Sequence, residues 1–369
     1  MKKTLASLLL VVAIACSLGV TAFAATPGMG NFKATASYTA KTFSDVPASQ
    51  WYAAAVGQCY EYGLMGGKGA GRFDPAGSLT VGEAIAMADQ VNAIYTTGQR
   101  ATLTGTPWYQ PYVDYAVNNG IIKTGDFTSY TATATRAQMA YIFAHALPGA
   151  EYSQLFAVNS VPDVKTTDKY ASEIYTLYNA GILSGSDKYG NYHPAANIKR
   201  CEAAAIIRRV ALSAQREPAV LFKDFTNGIV KFAMPVTSEQ SQQDGYVQYL
   251  FDDIPALSAN LGISTQTDAA YSGASITQAP VSELESEIVD GFTQQGITAT
   301  VTSSKTVKFG TISAYRITVS YAMDGNQFAE NCYCFISGST MYILAAAAAD
   351  TNILKTIDSS ITVNGSAAK

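Results

Sequence analysis

Apolar positions recur at helical spacing in the first half of the chain, and alternate with polar positions in the last third. The stretch from Trp51 to Tyr62 has apolar side chains on one helical face, and Gly63 follows where a left-handed residue would end the helix. After a glycine-rich loop, Thr80 and Glu83 have the spacing of a capping box at the start of a second apolar helix. The pattern predicts a helix–loop–helix unit.

This unit occurs three times, and we assign the copies to residues 43–95, 102–148 and 161–215. In each copy a tyrosine precedes the helix-ending glycine by eleven residues: Tyr52 and Gly63, Tyr109 and Gly120, Tyr170 and Gly181. A single helix pair cannot bury its apolar face alone, so the three copies are expected to stack on one another.

The motifs inside the copies are specific. Copy one contains Phe43-Ser-Asp45-Val46, Trp51-Tyr52, Phe73-Asp74-Pro75 and Leu79-Thr80-Val81-Gly82-Glu83; copy two contains Trp108-Tyr109 and Ala134-Thr135-Arg136-Ala137-Gln138; copy three contains Pro162-Asp163-Val164, Tyr192-His193-Pro194 and Lys199-Arg200-Cys201-Glu202. This set resembles the S-layer homology (SLH) family. The resemblance implies an α-helical, three-fold pseudo-symmetric bundle. It also implies binding of secondary cell-wall polymer, often through a pyruvylated sugar, in grooves between neighbouring repeats.

The resemblance places the ligand near the arginine of the second-helix motif, which is Arg136 in copy two and Arg200 in copy three. Both lie in the first turn of a helix, where backbone N–H groups and the helix dipole favour an anion. An arginine there can form two charged hydrogen bonds to a carboxylate. Trp51 and Trp108 are expected either to pack on a sugar ring or to anchor the core.

Three departures from the family pattern restrict the expected binding. Copy two lacks a clear Phe-x-Asp-Val motif and has Gln138 in place of the motif glutamate. Val81 replaces the motif arginine in copy one, so that groove lacks its main cation unless Lys68 or Arg72 supplies one. Lys169 stands at the tryptophan position of copy three. We therefore expect at most two well-equipped grooves, with the arginine of one copy serving beside the tryptophan of another.

The N-terminus predicts export. Lys2 and Lys3 precede an apolar stretch that ends in a small-x-small site at Ala24, which is typical of a signal peptide over residues 1–24, followed by a linker over 25–42. A membrane anchor is less well supported because the apolar stretch is short and interrupted. A lipoprotein with Cys16 is the other alternative, although the residues before it form a poor lipobox.

Composition excludes several classes of partner. Charged residues are only 14% of the chain, and removal of the signal peptide leaves 22 basic against 28 acidic residues. This balance gives no electrostatic case for binding nucleic acid or an anionic membrane surface. The cysteines and two histidines form no metal-ligand pattern, so we expect neither metal nor cofactor. Cys332 and Cys334 are expected to be small buried side chains, with a redox pair as the weaker alternative.

The region 217–369 no longer follows the repeat, and its alternation predicts an α+β domain with an antiparallel sheet. Asp324-Gly325 indicates a hairpin, and Val281–Gln295 is expected to be a helix. A short helix over Asp350–Lys355 should precede the last strand. The order of elements weakly resembles PsbP-like domains. The predicted strands are Tyr246–Phe251, Ile297–Thr302, Thr311–Tyr321, Phe328–Ile336, Met341–Ala347 and Ile357–Val363.

No catalytic set is recognisable in the sequence. The region after Glu217 contains no histidine, and the chain lacks nucleophile-elbow, zinc-protease and phosphate-loop motifs. We expect a non-enzymatic surface protein anchored to the cell wall. Two alternatives stay open: an anchored enzyme that acts on extracellular or wall polymer, and repeats that bind peptidoglycan directly. The sequence leaves open the ligand of the C-terminal domain and the oligomeric state.

Overall fold

The computed structural model describes residues 26–243, 245–323 and 325–369. The predicted signal peptide and the hairpin residue Asp324 lie outside these ranges. The chain forms two compact units. Among the described residues, the first unit contains those up to Ala132 together with His145–Leu147 and Lys199–Ala214, and the second contains the others. Across the ranges described, no helix is both long enough and apolar enough to cross a membrane.

Each repeat contains the two predicted helices. The first helices all end at a glycine with a left-handed backbone, with φ of 67° at Gly63, 71° at Gly120 and 70° at Gly181, so the predicted termination is confirmed. Thr80 caps its helix through the predicted capping box, and Thr135 and Gln138 make the same reciprocal pair. The helices are α1 (Ala53–Glu61), α2 (Val81–Thr97), α3 (Gln110–Asn118), α4 (Arg136–Ala144), α5 (Ala171–Asn179) and α6 (Arg200–Ala211).

The second helix of one copy packs against the first helix of another. In the first unit α1 packs on α6 and α2 packs on α3, while in the second unit α4 packs on α5. Cys59 shows how close α1 and α6 are, because its buried Sγ donates a hydrogen bond to the Ala204 carbonyl at 3.3 Å. The repeats therefore bury their apolar faces on each other, as expected. The three-fold pseudo-symmetry of the bundle stays a prediction.

The C-terminal region is built on antiparallel sheet, which confirms the α+β prediction. Seven strands pair in the order β3-β4-β5-β9-β8-β7-β6, and a small second sheet has the order β1-β2-β10-β11. The strands are β1 (Phe222–Thr226), β2 (Val230–Pro235), β3 (Glu239–Gln243), β4 (Tyr246–Phe251), β5 (Ala259–Thr267), β6 (Ala299–Phe309), β7 (Ile312–Met323), β8 (Asn326–Ser337), β9 (Thr340–Ala348), β10 (Thr362–Val363) and β11 (Ser366–Ala367).

Alternation along the strands divides the side chains between two layers. Tyr333 and Phe335 of β8 join the larger core, which also contains the buried side of α8 (Thr351–Ser360). Cys332 and Cys334 face the opposite layer, under α7 (Val281–Gln294). Both cysteines are buried free thiols, which confirms the prediction that they are packing residues. β7 and β8 pair antiparallel up to Met323 and Asn326, so the predicted hairpin is confirmed.

One predicted element is wrong. The stretch from Ile357 was expected to be a strand, but α8 continues to Ser360 and only Thr362–Val363 is extended. The Asp350 carboxylate accepts from the N–H groups of Asn352 and Ile353 and so caps the start of α8. The helix continues past Lys355 because Ile357 is buried in the same core as Ile353 and Leu354, on one helical face.

Candidate functional site

The second helix of each repeat begins against the loop of a neighbouring repeat. At α2 the N–H groups of Val81 and Gly82 donate to the carbonyls of Ala132 and Tyr130, at 2.9 and 2.8 Å. The same pair of backbone bonds forms at the starts of α4 and α6. We call these three contacts the Val81, Arg136 and Arg200 seams. In the other two seams the backbone N–H groups donate to backbone carbonyls as follows: Arg136 to Ala196, Ala137 to Pro194, Arg200 to Gly77 and Cys201 to Pro75.

In the Arg200 seam the arginine is buried, with 3% of the residue exposed. Its Nε donates to the Phe73 carbonyl at 2.8 Å, and its Nη2 donates to the Gly66 carbonyl at 2.7 Å. The guanidinium lies over the Phe73 ring, 4.7 Å from the centroid. These contacts fix its plane. Nη1 makes no hydrogen bond within the residues that the structure describes.

Acidic and basic side chains surround this guanidinium. Burial lowers the pKa of Arg200, and the carboxylates of Glu83, Asp74 and Asp45 act in the opposite direction. Glu83 is itself paired with Lys68, whose Nζ is 2.7 Å from Oε1. Burial raises the pKa of Glu83, but the hydrogen bonds from Lys68 and from the Thr80 N–H outweigh this effect, so the pKa lies below its ordinary value.

Lys68 and Arg72, predicted as substitutes for the cation missing at Val81, have other partners. Lys68 pairs with Glu83, as described above. The Arg72 Nε lies 3.6 Å from Asp45 Oδ2, and the Arg72 side chain is 64% exposed. Val81 itself is buried at the start of α2. Lys68 and Arg72 therefore offset the negative charges of Glu83 and Asp45 beside Arg200.

Arg136 repeats much of this geometry with a tyrosine in place of Phe73. Its Nε donates to the Tyr192 carbonyl at 2.6 Å, and its guanidinium lies 4.8 Å from the centroid of the Tyr192 ring. The Tyr192 hydroxyl donates back to the Arg136 carbonyl at 2.6 Å. With 7% of the residue exposed, Arg136 is also a buried contact between copies two and three.

The tryptophans are surface residues. Trp51 is 66% exposed and Trp108 is 48% exposed, so the alternative that they anchor the core is wrong. Lys169 at the equivalent position is also exposed, and its Nζ lies 4.7 Å from the centroid of the Tyr170 ring. That ring stacks on Tyr141 at 4.6 Å, which ties the start of α5 to α4.

A second correction concerns the helix N-termini. The sequence suggested that the first N–H groups of α4 and α6 are open to an anion. The structure instead uses them in the seams, and the Gln138 N–H donates to the Thr135 hydroxyl. Any anion must therefore be bound by side chains. The sequence contained a signal for these contacts between copies, because each motif arginine has a matching aromatic-x-Pro motif in another copy.

Two aspartates belong to the seams and were not predicted as site residues. Asp45 accepts from the N–H groups of Phe73 and Asp74, both at 2.8 Å. Asp163 does the same for Tyr192 and His193, both at 2.7 Å. The aspartate of the first motif thus holds the loop whose aromatic ring supports the arginine. Among the described residues no group of acids, histidines and cysteines is arranged to hold a metal ion.

Comparison with known proteins agrees with this architecture. The S-layer homology domain family matches residues 42–85 and 162–204, which are copies one and three. Two of the three copies are thus similar to the S-layer homology domain, and the similar proteins include surface-layer proteins. It is 27% identical over 178 residues to the S-layer protein sap of Bacillus anthracis, covering 46% of this chain and 21% of that protein. It is 28% identical over 209 residues to the surface-layer 125 kDa protein of Lysinibacillus sphaericus, covering 54% of this chain and 18% of that protein.

The chain therefore spans about a fifth of the length of these relatives. Among solved structures, the cyanobacterial PsbP of Synechocystis is similar with a TM-score of 0.32 and 9% identity, over 38% of this chain and 92% of that one. LpqN of Mycobacterium tuberculosis is similar with a TM-score of 0.24 and 13% identity, over 39% of this chain and 91% of that one.

Proposed function

We propose that this protein is exported and held non-covalently on the cell wall by its S-layer homology repeats, which bind an anionic secondary wall polymer. The matches to the S-layer homology domain and to named surface-layer proteins support a role at the cell surface. The signal-peptide pattern in the sequence supports export. The C-terminal α+β module would be the part displayed.

The observation that carries the proposal is which tryptophan and which arginine stand at the starts of two helices that pack on each other. Trp51 precedes α1, which packs on α6, and α6 begins with Arg200. Trp108 precedes α3, which packs on α2, and α2 begins with Val81. Lys169 precedes α5, which packs on α4, and α4 begins with Arg136. Only the Arg200 seam combines a motif arginine with an exposed tryptophan. We therefore assign the principal polymer site to it.

The chemistry of this seam suits a sugar that carries a carboxylate, as a pyruvyl ketal does. The exposed indole of Trp51 offers an apolar surface to a sugar ring. Arg200 Nη1 would donate a charged hydrogen bond to the carboxylate, and the exposed Arg72 would add a second cation at the edge. Because Nε and Nη2 are held by backbone carbonyls, the guanidinium is ordered before the ligand arrives and loses little entropy on binding.

Co-sedimentation with purified walls tests the proposal, using the chain from Ala25 to Lys369. Trp51→Ala should weaken binding by up to about tenfold, because ring stacking on an aromatic side chain contributes roughly 0.5–1.5 kcal/mol. Trp108→Ala is the matched control, and its effect should be several-fold smaller. Both side chains are exposed, so neither change should unfold the protein. Equal losses in the two variants would contradict the assignment to the Arg200 seam.

The two tryptophans are the only ones in the sequence, so their fluorescence reports the two seams separately. With Trp108→Phe, soluble wall polymer should change the emission of Trp51. With Trp51→Phe, the same polymer should change the emission of Trp108 much less. Walls stripped of secondary polymer should no longer retain the chain. Undiminished binding to stripped walls would instead support direct recognition of peptidoglycan.

A further inference from the structure

A basic cleft lies beside α8 in the C-terminal module. The helix covers β8 and β9, and beyond its edge the polar side chains of β6 and β7 continue the same face of the sheet. Lys305 of β6 is paired in register with Arg316 of β7, and Ser303 with Thr318. Together with Lys355 of α8 they line a cavity of about 310 Å³. This is the lower end of the size range of small-molecule sites.

The charge of the cleft is opposite to that of its surroundings. From Glu217 to Lys369 the sequence holds 15 acidic and 7 basic residues. Three of those basic residues line the cleft, with Asp358 as its one acidic lining residue. An adjoining cavity of about 140 Å³ shares Lys305, Arg316 and Asp358 and adds Lys369. Concentration of cations in an acidic module favours an anionic occupant.

The carboxylate of Asp358 is already satisfied. Oδ2 accepts from Arg316 Nη2 at 2.9 Å, and Oδ1 accepts from the Tyr333 hydroxyl at 2.7 Å and from Asn331 Nδ2 at 3.1 Å. Among the described residues, no ion pair involves Lys305 or Lys355, and both are exposed. The buried Arg316 Nε also makes no hydrogen bond there. A buried donor without a partner is costly, so a ligand acceptor at this point would be favourable.

We propose that this cleft binds a small anionic sugar, that is, a sugar unit bearing a phosphate or a carboxylate. Lys305, Lys355 and Arg316 would hold the anion, since charged hydrogen bonds are about twice as strong as neutral ones. The side chains of Ser303, Thr318 and Thr351 in the same cavity are donors and acceptors that suit sugar hydroxyls. The site is separate from the seams of the repeats and does not depend on them.

Calorimetric titration of the chain from Ala25 to Lys369 tests the proposal with glucose 6-phosphate, glucuronate, inorganic phosphate and neutral glucose as probes. At low ionic strength the two anionic sugars should bind and glucose should not. Lys305→Ala with Lys355→Ala should weaken binding roughly tenfold or more, because two charged contacts are lost. Lys308→Ala is the control, since this exposed lysine lies on the same strand but points to the opposite face.

Binding that survives in the double variant, or no binding of either anionic sugar, would overturn the proposal. Inorganic phosphate that binds as tightly as glucose 6-phosphate would overturn its sugar component. Soluble wall-polymer fragments distinguish the two sources of such a sugar. If the polymer is the source, fragments should lose affinity in the double variant relative to the Lys308→Ala chain. If free metabolites are the source, the two chains should bind fragments equally while still differing for the monosaccharides. Because the variants lie outside the repeats, failure here leaves the wall-binding test unaffected.

Discussion

Asp89 should make the stability of the repeat region depend on pH. It lies in the middle of α2 and is fully buried, with 0% of the residue exposed. Neither carboxylate oxygen has a hydrogen-bond partner within the described chain. Burial raises the pKa of Asp89 to about 8 from an ordinary value of 3.8. The folded protein therefore keeps the Asp89 proton at neutral pH, whereas the unfolded chain loses it.

The sign of the effect follows from these two values. Between pH of about 4 and about 8 only the unfolded chain has released the proton, so the free energy of unfolding falls by about 1.4 kcal/mol per pH unit. Below this range both states hold the proton, and above it both have lost it. At pH 7 the accumulated destabilisation from this group is about 4 kcal/mol relative to acid pH.

The substitution Asp89→Asn removes the titration while keeping the shape of the neutral side chain. Urea unfolding followed by circular dichroism at 222 nm would be measured at pH 5, 6, 7 and 8 at constant ionic strength. The stability difference, variant minus wild type, should rise with pH by about 1.4 kcal/mol per unit and level off near pH 8. Any cost of burying the asparagine amide is independent of pH, so it shifts the curve without changing its slope.

Asp114→Asn is the control, because Asp114 is an exposed aspartate on the neighbouring α3. It shows how removal of a carboxylate from an exposed position affects the measured stability. Curves of Asp89→Asn and the wild type that run parallel would refute the reasoning, since they would mean that Asp89 is ionised in the folded protein.

Three further predictions concern the fold. Gly181→Ala should destabilise the protein more than Gly120→Ala, as a comparison of thermal midpoints would show. Both residues have left-handed backbones, but a Cβ at Gly181 would stand 2.6 Å from the Glu217 carbonyl oxygen, whereas one at Gly120 would meet nothing within 4 Å. Thr80→Ala should lower the free energy of unfolding by about 1 kcal/mol in urea titrations, because the cap of α2 is lost while Glu83 is kept. The four described cysteines are buried, so a thiol reagent should label none of them quickly in the native protein and all of them in urea.

The repeat fold was largely predictable from the sequence because its signals are local. A glycine that ends a helix and a threonine that caps one each specify the backbone over a single turn. The positive φ of the glycines and the Thr80 cap were both confirmed. The seams were not predictable from periodicity, because they join residues far apart in sequence, such as Arg200 and Phe73. The burial of the arginines followed from that pairing. The expectation that the arginine of one copy serves beside the tryptophan of another stays a prediction, and the rings on which Arg200 and Arg136 pack are those of Phe73 and Tyr192.

In the C-terminal module, prediction succeeded where alternation was strong and failed where it was weak. β3 has five exposed residues, Glu239 to Gln243, so nothing in its hydrophobic pattern distinguishes it from a polar loop. It is an edge strand that pairs only with β4, and such strands tolerate polar side chains on both faces. α8 was underestimated because its apolar residues also fit a strand. The basic cleft was not predictable because its cations come from separate elements.

Hydrogen bonds between the C-terminal module and the third copy also determine how the protein would respond to mechanical load. The N–H groups of Glu217 and Phe222 donate to the carbonyls of Gly181 and Lys188, each at 3.1 Å. The Tyr189 hydroxyl donates to Asp224 Oδ1 at 2.9 Å. A force that pulls on the module would therefore load these bonds to the segment after α5, and would not act through the chain connection to α6 alone.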